Sequence, residues 1–201
     1  MRIELKKHSA NAIINALRHV AMTEIPVLRP IAFAVGTGSN VIEIGDWCEE
    51  DMTEFISSLS TMTYAYSGDL SLVKFDELCS GVVNYTILES SGIKVLTVQT
   101  KDVLHLRQQA RVQVYFRNAP GKFTSDENEK FLVRNGVDAS NLTVINSRHC
   151  AALALIPTVV EETMDTTVFD VEIVSSCGKS GDEILTQSID FLTSELNQIK
   201  L

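Results

Sequence analysis

The 201-residue sequence contains no run of about 18 consecutive apolar residues, the length at which a helix can cross a membrane. Its first residues, MRIELKKHSANAI, also lack the uninterrupted apolar stretch of a secretory signal peptide. The four cysteines, Cys48, Cys79, Cys150 and Cys177, form no CxxC pair, so their spacing indicates neither a zinc site nor an iron–sulfur cluster. We therefore expect an intracellular protein with no membrane association, buried free thiols, and no metal or cofactor.

Basic residues are also scarce. The chain has 17 Lys and Arg against 26 Asp and Glu, which gives a formal net charge of -9. Such a surface repels phosphate backbones unless a local basic patch overrides it, and the longest basic cluster is Lys6, Lys7 and His8. The charge therefore disfavours direct DNA binding by this chain, although it leaves membership of a nucleic-acid complex open.

Apolar residues, at 45% of the chain, are sufficient for a sizeable core. The first periodic segment predicts a helix from about Asn11 to Glu24, which Pro26 ends because residues before proline avoid the helical region. Its apolar stripe consists of Ala10, Ile13, Ile14, Leu17, Val20 and Ala21. The run from Ile31 to Val35, the turn-forming GTGSN and the following VIEI predict a hairpin of two strands.

The middle of the chain favours strands. A second helix is predicted in GDWCEEDMTEFISSLSTM, whose acidic first turn suits the positive end of the helix dipole. From Tyr64 to about Ile156, short partly alternating runs are separated by Gly, Ser, Asp and Asn, which is typical of a strand-rich module. The polar stretch NAPGKFTSDENEK interrupts these runs and predicts a surface loop.

The last part of the chain predicts two strands and a long helix. TVVEETMDTTVFDVEIVSS supplies the strands, and the helix is expected from about Asp182 to Lys200. Its near-heptad apolar seam consists of Leu185, Ile189, Leu192, Leu196 and Ile199. Helix-bearing ends around a strand-rich middle predict an α+β fold in which a discontinuous domain, residues 1–60 and 157–201, is interrupted by an insertion domain, residues 61–156.

Two short motifs invite a catalytic interpretation. CGKSG, with Gly178, Lys179 and Ser180, matches the end of a phosphate-binding loop, but Ile173 stands where such a loop needs its first glycine. A strand-to-helix turn capped by Ser180 or Asp182 accounts for the same residues. In SRHC, neighbours in a strand point to opposite faces, so His149 and Cys150 are predicted to be core or interface residues. We identify no catalytic constellation.

One stretch resembles a known family. ANAIINALRHVAMTEIPVLRPIAFAV is similar to the hallmark of the RNA polymerase assembly proteins: the bacterial α subunit, its archaeal counterpart and the third-largest subunit of eukaryotic RNA polymerase II. In that family a helix reading approximately N-A-L-R-R-I-x-x-x-E-V-P precedes a strand. The matching residues are Asn15, Ala16, Leu17, Arg18, Glu24, Ile25 and Pro26, whereas His19 replaces the second arginine.

Further stretches follow the family's order. GDWCEEDMTEFISSLSTMTYAYSG resembles the α segment in which a helix leads into the inserted domain. DVLHLRQQARVQVYFRNAPGKFTSDENEKF is similar to the archaeal and eukaryotic stretch ending G-K-x-H-A-K-F, without its His-Ala pair. FDVEIVSSCGKSGDEILTQSIDFLTSEL resembles the closing strand, turn and last helix. Nothing resembles the C-terminal DNA-binding domain of bacterial α.

The resemblance implies a non-catalytic assembly platform of a multisubunit DNA-directed RNA polymerase. Its partners would be a second α-like chain, either another copy or a smaller partner lacking the insertion, and two large catalytic subunits. The implied large-subunit docking residues are Asn15, Arg18 and His19. The expected dimer-interface residues are Ile13, Leu17, Val20, Leu185, Ile189, Leu192, Leu196 and Ile199. The alternatives are an interaction scaffold of another complex and a small nucleotide hydrolase that uses CGKSG.

Overall fold

A computed structural model describes residues 1–36, 47–66, 68, 70–84, 92–96 and 104–198 of the chain. The fold class is α+β, with helices beside mostly antiparallel sheets, as the sequence predicts. The second half of the predicted hairpin after Val35, and the seam residue Ile199, lie outside the described residues.

The chain divides into two compact units. Unit 1 comprises Met1–Pro26 and Cys150–Leu201, and unit 2 comprises Val27–His149. The sequence assigns residues 27–60 to the discontinuous domain, but they group with the inserted part of the chain. Residues 150–156, which the sequence assigns to the insertion, group with the chain ends. The reason for the first shift is strand pairing, because the strand that starts at Val27 lies in the main sheet of unit 2.

Unit 1 is a three-stranded antiparallel sheet with two helices. Its strands are β1 (Arg2–Lys6), β10 (Ala152–Glu162) and β11 (Thr166–Ser175), in the order β1-β11-β10. Helix α1 (Ala10–Thr23) packs against β10 and against the last helix, α4 (Gly181–Gln198), which also packs on β11. The core includes Ala10, Ile14, Leu17, Val20, Ala21, Leu155, Phe169, Val171, Ile184 and Leu185.

Unit 2 is organised around one sheet in the order β4-β6-β2-β8. Its strands are β2 (Val27–Gly36), β4 (Leu72–Val83), β6 (Leu104–Ala119) and β8 (Thr143–Val144). Helix α2 (Met52–Thr61) covers one face, where Phe55 and Leu59 join a buried cluster that includes Phe33, Phe75 and Phe116. Strand β3 (Tyr64–Tyr66) pairs with β5 (Ile93–Val95), and β7 (Gly121–Phe123) pairs with β9 (Ser147–His149).

The opposite face of that sheet carries helix α3 (Ser125–Arg134), so the prediction of a surface loop in NAPGKFTSDENEK is wrong. Thr124 and Glu127 form a reciprocal capping box at the helix start. Leu132 is fully buried in the cluster that contains Ile31 and Tyr115. The charged residues of this segment make its composition similar to that of a loop, although Leu132 packs one face of the helix into the unit.

Candidate interaction surfaces

The polar edge of α1 holds Asn15, Arg18 and His19, the three residues for which the family resemblance implies a docking role. Arg18 is half-buried, and its Nε donates a 3.2 Å hydrogen bond to the carbonyl oxygen of Leu155. Its Nη1 lies 3.3 Å from Asn15 Oδ1. Because Leu155 belongs to β10, an edge strand, Arg18 satisfies a carbonyl of the sheet edge and is fixed in one orientation.

His19 is largely exposed. Its side chain is 71% exposed, and its Nε2 lies 3.9 Å from Glu24 Oε1. The Thr23 hydroxyl lies 2.9 Å from the His19 carbonyl oxygen and 3.0 Å from Glu24 Oε1, and its single proton can be donated to either oxygen. It connects the last turn of α1 to the residue that caps it. Asn15, Arg18 and His19 therefore lie together on α1, with Arg18 also part of the packing of unit 1.

The residues that are expected at a dimer interface differ in how much of each side chain is exposed. Leu17, Val20 and Leu185 are at most 5% exposed, because α1 and α4 pack on each other and on the sheet. Their assignment to a subunit interface is wrong, since they form the core of the chain's own unit. Ile13 and Leu192 are half-buried. Of the described residues in this set, only Ile189, at 43%, and Leu196, at 65%, are exposed.

Further exposed apolar side chains, which were not predicted from the sequence, lie on β10 and the turn after it. These exposed side chains are Leu153, Ile156, Val159, Val160 and Met164. The signal was present as ALALIPTVV, an apolar run with no polar alternation, and Pro157 within it is typical of an edge strand because proline cannot donate to a neighbouring strand. Unit 1 thus exposes apolar side chains on β10 as well as on α4.

The CGKSG turn links β11 to α4, as one of the two interpretations predicts. Gly178 has a φ of 72°, and a Cβ on Gly181 would lie 3.3 Å from that of Ile173. The Ser180 backbone N–H donates to Glu183 Oε2, while the Glu183 N–H donates to Ser180 Oγ. The ammonium of Lys179 donates to the Pro26 carbonyl oxygen and to Gln187 Oε1. These polar groups are thus engaged in holding the start of the helix.

A buried polar network in unit 2 accounts for His149. Its side chain is 1% exposed, its Nδ1 lies 2.7 Å from the Val27 carbonyl oxygen, and its Nε2 lies 2.9 Å from Ser147 Oγ. The carbonyl can only accept, so Nδ1 carries the proton and Nε2 accepts from the serine hydroxyl. Burial lowers the pKa of His149 to about 4, which keeps the ring neutral. Cys150, at 5% exposure, is also buried, as the sequence predicts for both residues.

Asn128 and Arg117 extend this network. Asn128 Nδ2 donates to Ser147 Oγ and to the Ile145 carbonyl oxygen, and Asn128 Oδ1 accepts from Arg117 Nη1. The Arg117 guanidinium lies 3.5 Å from the ring centroid of Phe123 and 4.3 Å from that of Phe131. The network therefore holds α3, β7 and β9 together through hydrogen bonds and cation–π contacts.

The open part of the β4–β6 face carries a charged cluster. Asp76 accepts from Arg111 Nε at 2.5 Å, from Arg111 Nη2 at 3.0 Å and from Gln113 Nε2 at 2.9 Å, and it pairs with Lys74. Although burial opposes it, hydrogen bonding by Arg111, Lys74 and Gln113 lowers the pKa of Asp76 to about 2. The cluster links the neighbouring strands β4 and β6.

Comparison with protein-family models finds no match, and comparison with curated proteins finds no significant match. Within the described residues, no helix is long and apolar enough to span a membrane. The same part of the chain contains no group of three or more His, Cys, Asp or Glu side chains arranged to hold a metal ion.

Proposed function

We propose that this chain is a non-catalytic, α-like assembly subunit of a multisubunit DNA-directed RNA polymerase. The observation that carries the proposal is the discontinuous unit 1, in which the two ends of the chain form one helix-bearing sheet domain around an inserted, strand-rich unit. This is the arrangement that the resemblance around Asn15–Pro26 implies. The proposed domain limits are therefore those of units 1 and 2.

The proposed dimer surface is smaller than the sequence predicts. It uses the exposed side of α4, with Ile189 and Leu196, and the half-buried Ile13 and Leu192 at its margin. An obligate interface of this kind typically buries about 2,000 Å² or more, so additional surface must contribute. The exposed apolar residues of β10 are available in the same unit. The proposed partner is a second copy or a smaller α-like chain.

The proposed large-subunit contact is the polar edge of α1. Asn15 and Arg18 are already joined by a hydrogen bond, so the guanidinium is pre-oriented and loses little further freedom on docking. His19 projects beside them and is largely exposed. A docking surface made of one fixed cation and exposed polar groups suits carboxylates or backbone carbonyls of a partner.

Co-expression with candidate large subunits and an α-like partner tests this proposal. His19→Glu is the preferred variant, because the exposed His19 side chain contributes little to the fold, whereas Arg18→Glu would also remove the hydrogen bond to Leu155. We expect His19→Glu to weaken recovery of the large subunits. Gln109→Glu is the matched control, since it adds the same charge at an exposed position of unit 2.

Failure of the wild-type chain to recover any large subunit would contradict the assembly function. Equal recovery by His19→Glu and Gln109→Glu would contradict the assigned docking edge while leaving the assembly function standing. Retained recovery by Gln109→Glu together with loss by His19→Glu supports both.

A further inference from the structure

The β7–β9 ribbon of unit 2 places two cations side by side. Lys122 and Arg148 are directly opposed in its register, so their side chains leave the same face of the ribbon, and both are exposed. Directly opposed residues in an antiparallel pair have Cβ atoms about 4.5–5.5 Å apart, and like charges at that separation destabilise the pair. In a chain of net charge -9, such a pairing is unexpected.

Neither cation is neutralised within the described part of the chain. The carboxylates nearest to Lys122 in sequence are Asp126 and Glu127, in the first turn of α3. The Glu127 carboxylate is turned back to the capping box, where it accepts from the Thr124 N–H at 2.8 Å and from the Thr124 hydroxyl at 3.0 Å. No ion pair joins Lys122 or Arg148 to an acid among the described residues.

These cations line a surface cavity of about 340 Å³, which is completed by Phe123, Thr124, Asn146 and Ser147. The hydroxyls in the cavity are already used, since Thr124 exchanges hydrogen bonds with Glu127 and Ser147 exchanges them with His149 and Asn128. The Ser125 N–H of α3 is also used, because it donates to Asn146 Oδ1 at 2.7 Å. The Ser125 N–H is therefore not left for a ligand.

The hydrogen bond from the Ser125 N–H to Asn146 Oδ1 orients the Asn146 amide. With its oxygen held by Ser125, its Nδ2 remains as a donor. The side-chain groups left for a ligand are then the Lys122 ammonium, the Arg148 guanidinium and the Asn146 NH₂, all of which donate and none of which accepts. Two positive charges and an amide donor beside one cavity favour an anion as its ligand.

From this arrangement we propose that the cavity at Lys122, Asn146 and Arg148 is a binding site for a phosphate monoester. Such a group carries about -1.5 to -2 charges at neutral pH, which matches two cations better than a single carboxylate does, and its oxygens accept from the guanidinium fork, the ammonium and the amide. The ligand is either a small phosphorylated molecule or a phosphorylated side chain of a partner. The site is independent of the assembly function proposed above.

Isothermal titration of the full-length chain at low ionic strength tests the site with two probes, inorganic phosphate and a short peptide that contains one phosphoserine. We expect saturable binding of at least one probe and at least tenfold weaker binding by the double variant Lys122→Ala/Arg148→Ala. That loss is expected because each hydrogen bond to a charged group contributes about tenfold or more in affinity. Tighter binding of the peptide assigns the ligand to a phosphorylated side chain, and equal binding assigns it to a small phosphate.

The matched control is Lys130→Ala/Arg134→Ala. It removes one lysine and one arginine from the same unit, from a cavity where Asp126 and Glu129 accompany the two cations. We expect this control to bind both probes as the wild type does. Equal weakening in the two double variants, or no saturable binding of either probe by the wild type, would overturn the proposal.

Thermal melting shows whether a loss of binding by the double variant is caused by unfolding. Removing the opposed charges should leave the melting temperature of Lys122→Ala/Arg148→Ala equal to or above that of the wild type. Added phosphate should raise the melting temperature of the wild type, because it binds the folded chain alone, and should leave this variant unchanged. A phosphate-dependent rise of the same size in the variant would contradict binding at this site.

Discussion

Truncation of two leucines of the same helix should change the free energy of unfolding by very different amounts. Leu185 and Leu196 both lie on α4 and in the same sequence seam, but Leu185 is 5% exposed and Leu196 is 65% exposed. Truncating a buried leucine to alanine costs about 2–5 kcal/mol of unfolding free energy, through lost burial and the cavity left behind. Truncation at an exposed site usually changes that free energy by less than about 0.5 kcal/mol.

We therefore expect Leu185→Ala to lower the stability of unit 1 by about 2–5 kcal/mol, and Leu196→Ala to leave it nearly unchanged. The measurement is urea unfolding of the isolated chain, followed by hydrogen exchange of the α1 and α4 amides, which reports on unit 1 alone. In the assembled state the order should reverse, with Leu196→Ala weakening association with the α-like partner. A loss of about 2 kcal/mol or more in the isolated chain for Leu196→Ala would refute this reasoning about α4.

Further predictions concern hydrogen bonds and titration. Arg18→Ala should cost unit 1 about 1 kcal/mol, measured by urea unfolding, because it removes the bond to the Leu155 carbonyl oxygen; an unchanged midpoint would contradict that role. Because the pKa of His149 is lowered from its usual 6.5 to about 4, unfolded chains bind more protons between these values, so stability is lost as pH falls from about 6.5 to 4. At pH 5 the loss should be about 2 kcal/mol by pH-dependent denaturation, and His149→Gln should flatten this slope. The lowered pKa of Asp76 contributes stability that is present above about pH 4 and is lost towards pH 2, so Asp76→Asn should weaken the acid dependence in that window alone.

The helices whose apolar periodicity is strong could be predicted from the sequence. Helix α1 is expected over Asn11–Glu24 and occurs at Ala10–Thr23, and Pro26 lies just beyond its end as the backbone restriction requires. Helix α3 could not be predicted in this way, because only Asn128 and Leu132 of its ten residues are buried and the rest resembles a loop in composition. Its capping pair Thr124 and Glu127 was the available signal.

Strand lengths were harder to predict than strand positions. Several of the short runs expected between Tyr64 and Ile156 merge into longer strands, since β4 has 12 residues and β6 has 16. Polar residues interrupt the apolar pattern in both strands, and the β4–β6 pairing continues through Asp76 but shifts register between Cys79 and Gly81. The charge of Asp76 suggests a break in β4, but Arg111 and Gln113 of the neighbouring strand β6 donate hydrogen bonds to its carboxylate.

The candidate surfaces could be predicted only in part. The seam on α4 indicates one interface in the sequence, but folding buries Leu185 against the chain's own α1 and β11, and periodicity alone does not distinguish an internal partner from an external one. The cation pair Lys122 and Arg148 lay beyond sequence reasoning for another reason. The two residues are far apart in the chain, and only the β7–β9 register brings them together.

Affinity purification of this chain from its native source under mild conditions, followed by native mass spectrometry of the recovered complex, tests the proposed assembly function most directly. We predict a single complex that contains this chain, an α-like partner and two large subunits with RNA polymerase activity. Recovery of the chain alone, or in a stable complex without such large subunits, would contradict that function.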